Sequence, residues 1–230
     1  MLSFILIILL FLCLFVLPKW LKYQASTYKD ETGYTFWQTV SDKGTYGEFV
    51  TYTYLEKLGG NRKILANVYL KKKDGTTTEV DLIFICETGI YVVESKNYSG
   101  WIFGDERRKN WTQTLPNKRK YPFFNPVWQN AAHLNAIQST LEVEDHLLHS
   151  YIVFSKRCTL KNIHVTTPRV EVMKRNELLK VLSTERQISA PVLTNFQINQ
   201  YYYKLKAFTK ADQATKVRHM QDVQRKISGR

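Results

Sequence analysis

Hydrophobic side chains occupy consecutive positions, rather than alternate ones, in two short segments near the middle of the chain. Residues 80–86 and 90–96 are apolar on both faces, as expected for central strands that helices cover on both sides. Residues 64–70 predict another strand before them, and Asp74-Gly75 between the first two strands is a hairpin signal. The pattern therefore predicts a meander of three strands.

Periodic apolar positions predict helices on either side of this meander. Residues 45–58 place apolar side chains on one helical face, and a second helix is predicted over residues 127–141. A short strand follows at residues 151–154, and the pattern from residue 176 onward is helical. The order helix, three-strand meander, helix, strand predicts an α/β fold with a mixed central sheet and C-terminal helices.

The N-terminus is a separate hydrophobic run. Residues 2–17 carry no charge and give about 24 Å of helix, and continuation past Lys19 brings the length to the roughly 30 Å of a bilayer core. The basic n-region and small-residue cleavage site of a cleaved signal peptide are missing from the sequence. We therefore expect a single-pass transmembrane anchor. Because Lys19 and Lys22 follow the run and no basic residue precedes it, the remainder is expected in the cytoplasm.

These patterns predict one folded domain with appendages. The expected segments are a membrane anchor at 1–22, a juxtamembrane linker at 23–43, a domain at 44–160, a strand and helical extension at 161–209, and a basic tail at 210–230.

Composition narrows the set of partners. The 33 Lys and Arg against 20 Asp and Glu give a net charge of +13, which favours nucleic acid or anionic lipid. A basic flank beside a membrane segment would explain part of the same surplus. The three cysteines form no CxxC pair, which argues against a zinc site or a disulfide scaffold.

Three charged residues interrupt the apolar strands. Asp81 lies in the second strand, and Glu94 and Lys96 lie two apart in the third, so that both point to one face. An isolated charge in a buried strand costs several kcal/mol unless it is paired or bound to a metal. Because the two strands are adjacent, we expect the three side chains to converge at one end of them.

Metal-assisted phosphodiester hydrolysis is the chemistry that this arrangement favours. Two carboxylates offer hard oxygen ligands to Mg²⁺ or Mn²⁺, and a neighbouring lysine orients water or stabilises charge on a phosphate. A buried salt-bridge cluster, or charges solvated at exposed strand ends, is the structural alternative.

The ordered set of motifs resembles the NERD (nuclease-related) domain, a branch of the PD-(D/E)XK restriction-endonuclease-like superfamily. The resemblance runs from about residue 44 to residue 154 and covers no motif outside that stretch. Its elements are Gly44-Thr45-Tyr46-Gly47-Glu48, Glu79-Val80-Asp81-Leu82-Ile83, Val93-Glu94-Ser95-Lys96-Asn97-Tyr98-Ser99-Gly100, Ile102, Gly104, Trp111 and Asn125-Pro126-Val127-Trp128-Gln129-Asn130. Asp81 lacks the preceding proline of the superfamily's name.

The resemblance implies a restriction-endonuclease-like core and a role for each matching polar residue. Asp81 and Glu94 look like metal ligands, the Ser95 carbonyl would complete the shell, and Lys96 looks like the catalytic lysine. Glu48 looks like an additional acid that binds or orients the metal, although a solvated helix glutamate is the alternative.

Gln129 would project from the later helix toward substrate or Lys96, or else lie on the helix surface as an ordinary polar residue. The isolated histidines His133 and His164 are interpreted as core or surface residues. Two basic runs close to Lys96 in sequence are candidates to grip a phosphate backbone, with solvated loops as the alternative. The runs are Arg107, Arg108, Lys109 and Lys118, Arg119, Lys120.

The sequence thus predicts a membrane-anchored, Mg²⁺-dependent nuclease that uses a metal-activated water on nucleic acid, with DNA favoured over RNA. The alternative is a catalytically silent scaffold that keeps the fold and binds nucleic acid or the membrane.

Overall fold

A five-stranded mixed sheet forms the centre of the molecule, and a second sheet of four strands extends from one of its ends. The computed structural model describes residues 4, 10, 12–72 and 74–209. The strands are β1 Arg62–Lys71, β2 Thr77–Cys86, β3 Gly89–Lys96, β4 Gly100–Asp105, β5 Asn110–Thr114, β6 Lys120–Phe124, β7 Leu148–Phe154, β8 Cys158–His164 and β9 Val170–Lys174. The helices are α1 Leu17–Gln24, α2 Tyr28–Thr32, α3 Phe36–Ser41, α4 Lys43–Leu55, α5 Pro126–Leu141, α6 Leu178–Ile188 and α7 Asn195–Lys206.

Both sheets mix antiparallel and parallel pairs. The central sheet has the order β1-β2-β3-β7-β9, in which β1, β2 and β3 are antiparallel neighbours and β7 and β9 continue in parallel. The second sheet has the order β6-β5-β4-β8, with the β4–β8 pair parallel. The predicted mixed α/β fold is confirmed, and α4, β1–β3, α5 and β7 follow the predicted order of helix, meander, helix and strand.

Helices cover both faces of the central sheet, because its strands are apolar on both faces. We call the side of α4 and α6 the first core cluster; it includes Phe49, Tyr52, Leu55, Ala66, Leu82, Phe84, Tyr91, Val93, Leu178 and Leu182. The side of α5 and α7 is the second core cluster; it includes Leu65, Val68, Val80, Ile83, Ile85, Ile90, Val92, Ile137, Ile198 and Leu205. Each large apolar side chain buried here contributes about 1.5–3 kcal/mol.

The second sheet is joined to the central one through aromatic packing. The Trp111 ring of β5 stacks on the Phe154 ring of β7, with ring centroids 6.2 Å apart and planes 7° apart. Trp111 and Ile102 are fully buried on this inner face. Gly104 lies directly under the indole of Trp111, where an added Cβ would meet the ring at 2.3 Å. The Trp111 indole therefore explains why position 104 is a glycine.

Helix α1 packs on the domain through Tyr23. Among residues 4, 10, 12–72 and 74–209, no helix combines the length and the apolar character needed to cross a bilayer, so the prediction of a single-pass membrane protein is wrong. The physical reason lies in α1, an eight-residue helix that carries Lys19 and Lys22 and buries Tyr23 against Phe36 and Phe49. Residues 1–3, 5–9 and 11 of the predicted anchor lie outside the described residues, as does the basic tail at 210–230.

The segment expected as a linker also belongs to this layer. It forms α2 and α3, and Tyr28 of α2 is fully buried against Phe49 and Tyr52 of α4. At the other end of the chain, β9, α6 and α7 complete the central sheet and both of its core clusters.

Candidate active site

Asp81 and the end of β3 meet where the β2–β3 ladder stops. The last ladder pair is Leu82 with Val93, and Asp81 lies one position beyond it. The backbone N–H of Ser95 donates to Oδ2 of Asp81 at 2.8 Å. The Asp81 carboxylate thus accepts a hydrogen bond in place of a backbone carbonyl of the ladder, and it fixes the end of β3, which carries Glu94 and Lys96.

Near Asp81, the apolar side chains of the β1–β2 pair switch from one face of the sheet to the other. Ala66 and its partner Leu82 belong to the first core cluster, whereas Val68 and its partner Val80 belong to the second. Between them lies Asn67, buried and with a φ of 54°, in the left-handed region that asparagine tolerates better than most residues. Asp81, at the matching position of β2, therefore belongs to neither apolar cluster, and the fold accommodates its charge.

Glu94 and Lys96 form a buried ion pair on the α5 side of the sheet. Glu94 is only 1 % exposed, and its Oε1 lies 2.6 Å from Nζ of Lys96. The same Nζ donates to Oε1 of Gln129, on α5, at 3.0 Å. The Lys96 ammonium therefore lies between the Glu94 carboxylate, on the same face of β3, and the Gln129 amide of α5.

His133, one turn after Gln129 on α5, is the second contact of Glu94. Its Nε2 lies 3.0 Å from Oε2 of Glu94, and its Nδ1 lies 2.9 Å from the Thr78 hydroxyl. Because an ionised carboxylate only accepts, Nε2 is the donor. The interpretation of His133 as an ordinary histidine missed this role. The available signal was its i, i+4 spacing from Gln129, which places both side chains on one helix face.

Asn125 sets the position of α5. Its Oδ1 accepts from the Val127 N–H at 2.9 Å as the helix N-cap, while its Nδ2 donates to the Arg108 carbonyl at 2.7 Å and the Glu106 carbonyl at 2.9 Å. The Asn-Pro motif therefore connects the helix that carries Gln129 and His133 to the β4–β5 turn.

Glu48 reaches the site from α4 because that helix comes unusually close to the end of β3. An added Cβ at Gly47 would lie 2.6 Å from Cβ of Asn97, so only glycine allows this approach. The Asn97 amide donates to the Lys43 carbonyl at 2.7 Å and fixes the contact. Ser95, on the same side, hydrogen-bonds through its hydroxyl to Thr51 of α4 at 3.0 Å.

The charge of the Glu94 carboxylate influences the pKa values of both Glu48 and Asp81. Burial, followed by the Glu79 and Glu94 carboxylates, raises the pKa of Glu48 to about 8. Burial and then the charges of Glu94 and Glu48 raise the pKa of Asp81 well above its usual range. Burial opposes ionisation of Glu94 as well, but Lys96 and His133 outweigh it and hold its pKa at about 2. For Lys96 the carboxylates of Glu94 and Asp81 outweigh burial and raise its pKa.

This donor set fits a divalent cation of the Mg²⁺ type. Within the described ranges, no three His, Cys, Asp or Glu side chains form a ready-made metal cage. Mg²⁺ needs no such cage, since it usually takes one or two carboxylates and completes its octahedron with water and phosphate oxygens. Asp81 and Glu94 would supply that pair of hard ligands, and a cation would offset the repulsion that, after burial, raises the pKa values of Asp81 and Glu48.

The structure brings six of the predicted site residues together and places the two basic runs on the second sheet. Asp81, Glu94, Ser95, Lys96, Glu48 and Gln129 surround the end of β3. Arg107, Arg108 and Lys109 lie at the β4–β5 turn, where Arg107 pairs with Asp105 at 3.2 Å. Lys118, Arg119 and Lys120 lie at the β5–β6 turn, at the opposite end of β5. All six basic side chains are exposed.

The six clustered residues lie within a stretch that matches a known family. Residues 43–155 match the family described as NERD, the nuclease-related domain, and the match spans every one of the six clustered residues. The chain is also similar to an uncharacterized protein of Bacillus anthracis, with 33% identity over 187 residues that cover 81% of this chain and 86% of the relative. No solved structure matches the chain.

Proposed function

Since the chain belongs to the nuclease-related domain family, we propose that it is a metal-dependent nuclease that hydrolyses phosphodiester bonds of nucleic acid, with DNA as the favoured substrate. The observation that carries the proposal is the meeting of Asp81, Glu94 and Lys96 at one strand end, with Glu48 beside them. The basic composition supports a polyanionic substrate, because a net charge of +13 attracts phosphate backbones.

Asp81 and Glu94 would hold the metal, and the Ser95 carbonyl would complete the shell. A bound Mg²⁺ or Mn²⁺ would supply an activated water and neutralise charge on the scissile phosphate. Asp81 and Glu94 lie on adjacent strands, and Nζ of Lys96 lies 2.6 Å from Oε1 of Glu94.

Lys96 supplies the fixed positive charge. Glu94 and Gln129 hold its ammonium at 2.6 and 3.0 Å, so that it meets the phosphate or the attacking water without reorganisation. The carboxylates of Glu94 and Asp81 raise the pKa of Lys96 against the effect of burial, so it acts as a cation that donates hydrogen bonds.

Glu48 is suited to a proton-handling role. Burial and the neighbouring carboxylates raise its pKa to about 8, which leaves it able to take or give a proton near neutral pH. A cation held by Asp81 and Glu94 would lower the pKa of Glu48, which would then bind or orient the metal.

A catalytically silent nucleic-acid-binding scaffold is the second candidate. Both carboxyl oxygens of Glu94 already have protein partners, Lys96 on one side and His133 on the other, as a purely structural ion-pair cluster would have. In that case Asp81 and Glu94 would stabilise the strand ends, and the basic surface would still bind nucleic acid.

A test for metal-dependent cleavage of nucleic acid distinguishes the nuclease from the catalytically silent scaffold. The purified full-length chain is incubated with circular and linear double-stranded DNA, single-stranded DNA and RNA, each with Mg²⁺, Mn²⁺ or EDTA. We expect cleavage that EDTA abolishes and that Lys96→Ala reduces by roughly 10²- to 10⁴-fold. Lys180→Ala, which removes an exposed lysine of α6, is the matched control and should leave the rate unchanged. Binding without cleavage of any substrate would favour the scaffold.

A further inference from the structure

The second sheet has one face that packs on the molecule and one that is open. Its inner face carries Ile102 and Trp111, both buried against Phe154. The alternation of side chains along a strand places Trp101 of β4 on the opposite, outer face, where its side chain is 52 % exposed. A large aromatic ring therefore stands on the surface of a sheet that is already fully packed underneath.

Basic side chains share this outer face with Trp101. The ladder aligns Lys120 of β6 with Thr114 of β5, and Thr114 with Trp101 of β4, so that the buried Thr114 lies between two exposed side chains in one row across the sheet. From β8, Nζ of Lys161 lies 5.9 Å from the centroid of the Trp101 ring. Both lysines are exposed, and Lys118 and Arg119 precede Lys120 in the adjoining turn.

The strands of this sheet carry two lysines, Lys120 and Lys161, against one acidic residue. Asp105 is the one acidic residue of β4, β5, β6 and β8, and it lies at the far end of β4, paired with Arg107. The combination of an exposed indole with cations on both sides suits a polyanion that also offers flat aromatic faces. Unpaired nucleotides have both features, whereas a duplex presents only phosphates and base edges to a protein surface.

The outer face begins beside the candidate active site. Trp101 follows Lys96 by five residues, so at most about 17 Å of chain separates their Cα atoms. That distance corresponds to about five nucleotides at a rise of about 3.4 Å each. The connection is fixed, because Asn97 contacts both Lys43 of α4 and Arg157, and the Gln113 amide donates to the Ser99 carbonyl at 2.7 Å.

We infer that the outer face of the second sheet, centred on Trp101 with Lys120 and Lys161 beside it, is a stacking platform that holds a single-stranded stretch of nucleic acid next to the active site. The inference rests on the proposed function for the identity of the site, and it narrows the substrate class to nucleic acid with unpaired bases. The lysines bind phosphates without regard to sequence, and the indole supplies the preference for unpaired bases.

The test measures binding separately from cleavage. The full-length chain is titrated in EDTA, by fluorescence anisotropy, into labelled oligothymidylate and oligouridylate of about 16 nucleotides and into a blunt DNA duplex of the same length. The variants are Trp101→Ala, Trp101→Phe, and Trp37→Ala as the matched control, because Trp37 is 66 % exposed on α3. Circular dichroism checks that each variant is folded.

We expect Trp101→Ala to weaken binding of the single strands by roughly 5- to 100-fold and to leave duplex binding nearly unchanged. Trp101→Phe should keep most of the affinity, and Trp37→Ala should keep all of it. The comparison of the two oligonucleotides shows whether DNA or RNA occupies the platform. Wild-type affinity in Trp101→Ala, or an equal loss for single strands and duplex, would overturn the inference.

The binding result for Trp101→Ala can be interpreted whether or not the wild-type chain cleaves nucleic acid. If Trp101→Ala loses single-strand binding while the wild type cleaves nothing in Mg²⁺ or Mn²⁺, the platform stands and the hydrolytic function fails. If the wild type cleaves and Trp101→Ala cleaves and binds equally well, the nuclease stands and the platform fails.

Discussion

The Nε2 atom of His133 lies 3.0 Å from Oε2 of Glu94, on the side of the carboxylate opposite to Lys96. The imidazole comes from α5, whereas Glu94 and Lys96 come from β3, so that the helix fixes the rotation of the strand's carboxylate. Thr78 of β2 fixes the ring in turn, through its hydroxyl 2.9 Å from Nδ1. Orientation of Glu94 therefore depends on a residue that would not touch the substrate.

Replacement of His133 by alanine should lower nuclease activity without abolishing it. The loss of a group that orients a metal ligand typically costs 10- to 100-fold in activity or metal affinity, so we expect roughly that reduction. Because Oε2 of Glu94 would be left buried without its partner, the free energy of unfolding should also fall by about 1–3 kcal/mol. Initial rates at several Mg²⁺ concentrations and chemical denaturation measure the two effects.

The Gln variant and a second histidine serve as controls. His133→Gln keeps an amide donor near the position of Nε2 and should recover part of the rate. His164→Ala removes an exposed histidine of β8 and should change neither rate nor stability. A His133→Ala enzyme with the wild-type rate and metal dependence would show that Glu94 is held well enough by Lys96 alone.

The sequence predicts the charged residues of the candidate site better than it predicts the helices, strands and side chains that pack around them. Asp81, Glu94 and Lys96 stand out because charges are costly in strands that are apolar on both faces. His133 does not stand out, since a histidine on a helix is unremarkable until the strand opposite is known. The sequence predicts that residues 17–22 of α1 belong to a membrane span because they continue an apolar run, yet the next residue, Tyr23, packs into the domain against Phe36 and Phe49. Pairing of β8 with β4 likewise depends on a contact that no local pattern encodes.

Gly47→Ala should destabilise the protein and impair the site. In an ordinary helix, alanine is favoured over glycine by about 1 kcal/mol, so a destabilising result would have to come from a clash. The added Cβ would lie 2.6 Å from Cβ of Asn97, and relief of that contact moves α4 away from β3 and Glu48 away from Asp81. We expect a loss of about 1–3 kcal/mol in the free energy of unfolding, measured by chemical denaturation, together with a reduced cleavage rate.

Gly59→Ala is the matched control for this substitution. An added Cβ at Gly59 meets no atom within 4 Å, and so its effect on stability should be close to zero or slightly favourable. Equal stability of the two variants would mean that α4 and Asn97 are not held in close contact.

Glu48 should make the metal-free protein less stable as the pH rises from about 4.5 to about 8. Burial and the neighbouring carboxylates raise the pKa of Glu48 from 4.5 to about 8. Over this window the folded state binds the proton more tightly than the unfolded state does, so stability is present below the window and is lost as the pH rises through it. Thermal unfolding in EDTA across this pH range should therefore give a midpoint that falls toward alkaline pH.

Comparison with Glu48→Gln isolates this contribution. The variant cannot ionise at this position, so its midpoint should decline less steeply, although Asp81 with its raised pKa leaves part of the slope. Glu171→Gln, at an exposed glutamate of β9, should keep the wild-type slope. Identical slopes for the wild type and Glu48→Gln would place the Glu48 carboxylate in water rather than among the acids of the site.

Mg²⁺ or Mn²⁺ should stabilise the folded chain through the carboxylates of Asp81, Glu94 and Glu48. A ligand that binds only the folded state at about 100 times its dissociation constant adds about 2.7 kcal/mol, which raises the unfolding midpoint of a chain of this size by roughly 5–10 °C. The rise should be larger near pH 8 than near pH 5, since below about 8 the proton on Glu48 competes with the cation. Asp81→Asn should lose most of the effect, because the amide keeps an acceptor for the Ser95 N–H but carries no charge. Differential scanning fluorimetry with and without EDTA measures the shift, and a metal response that survives Asp81→Asn unchanged would locate the cation elsewhere on the protein.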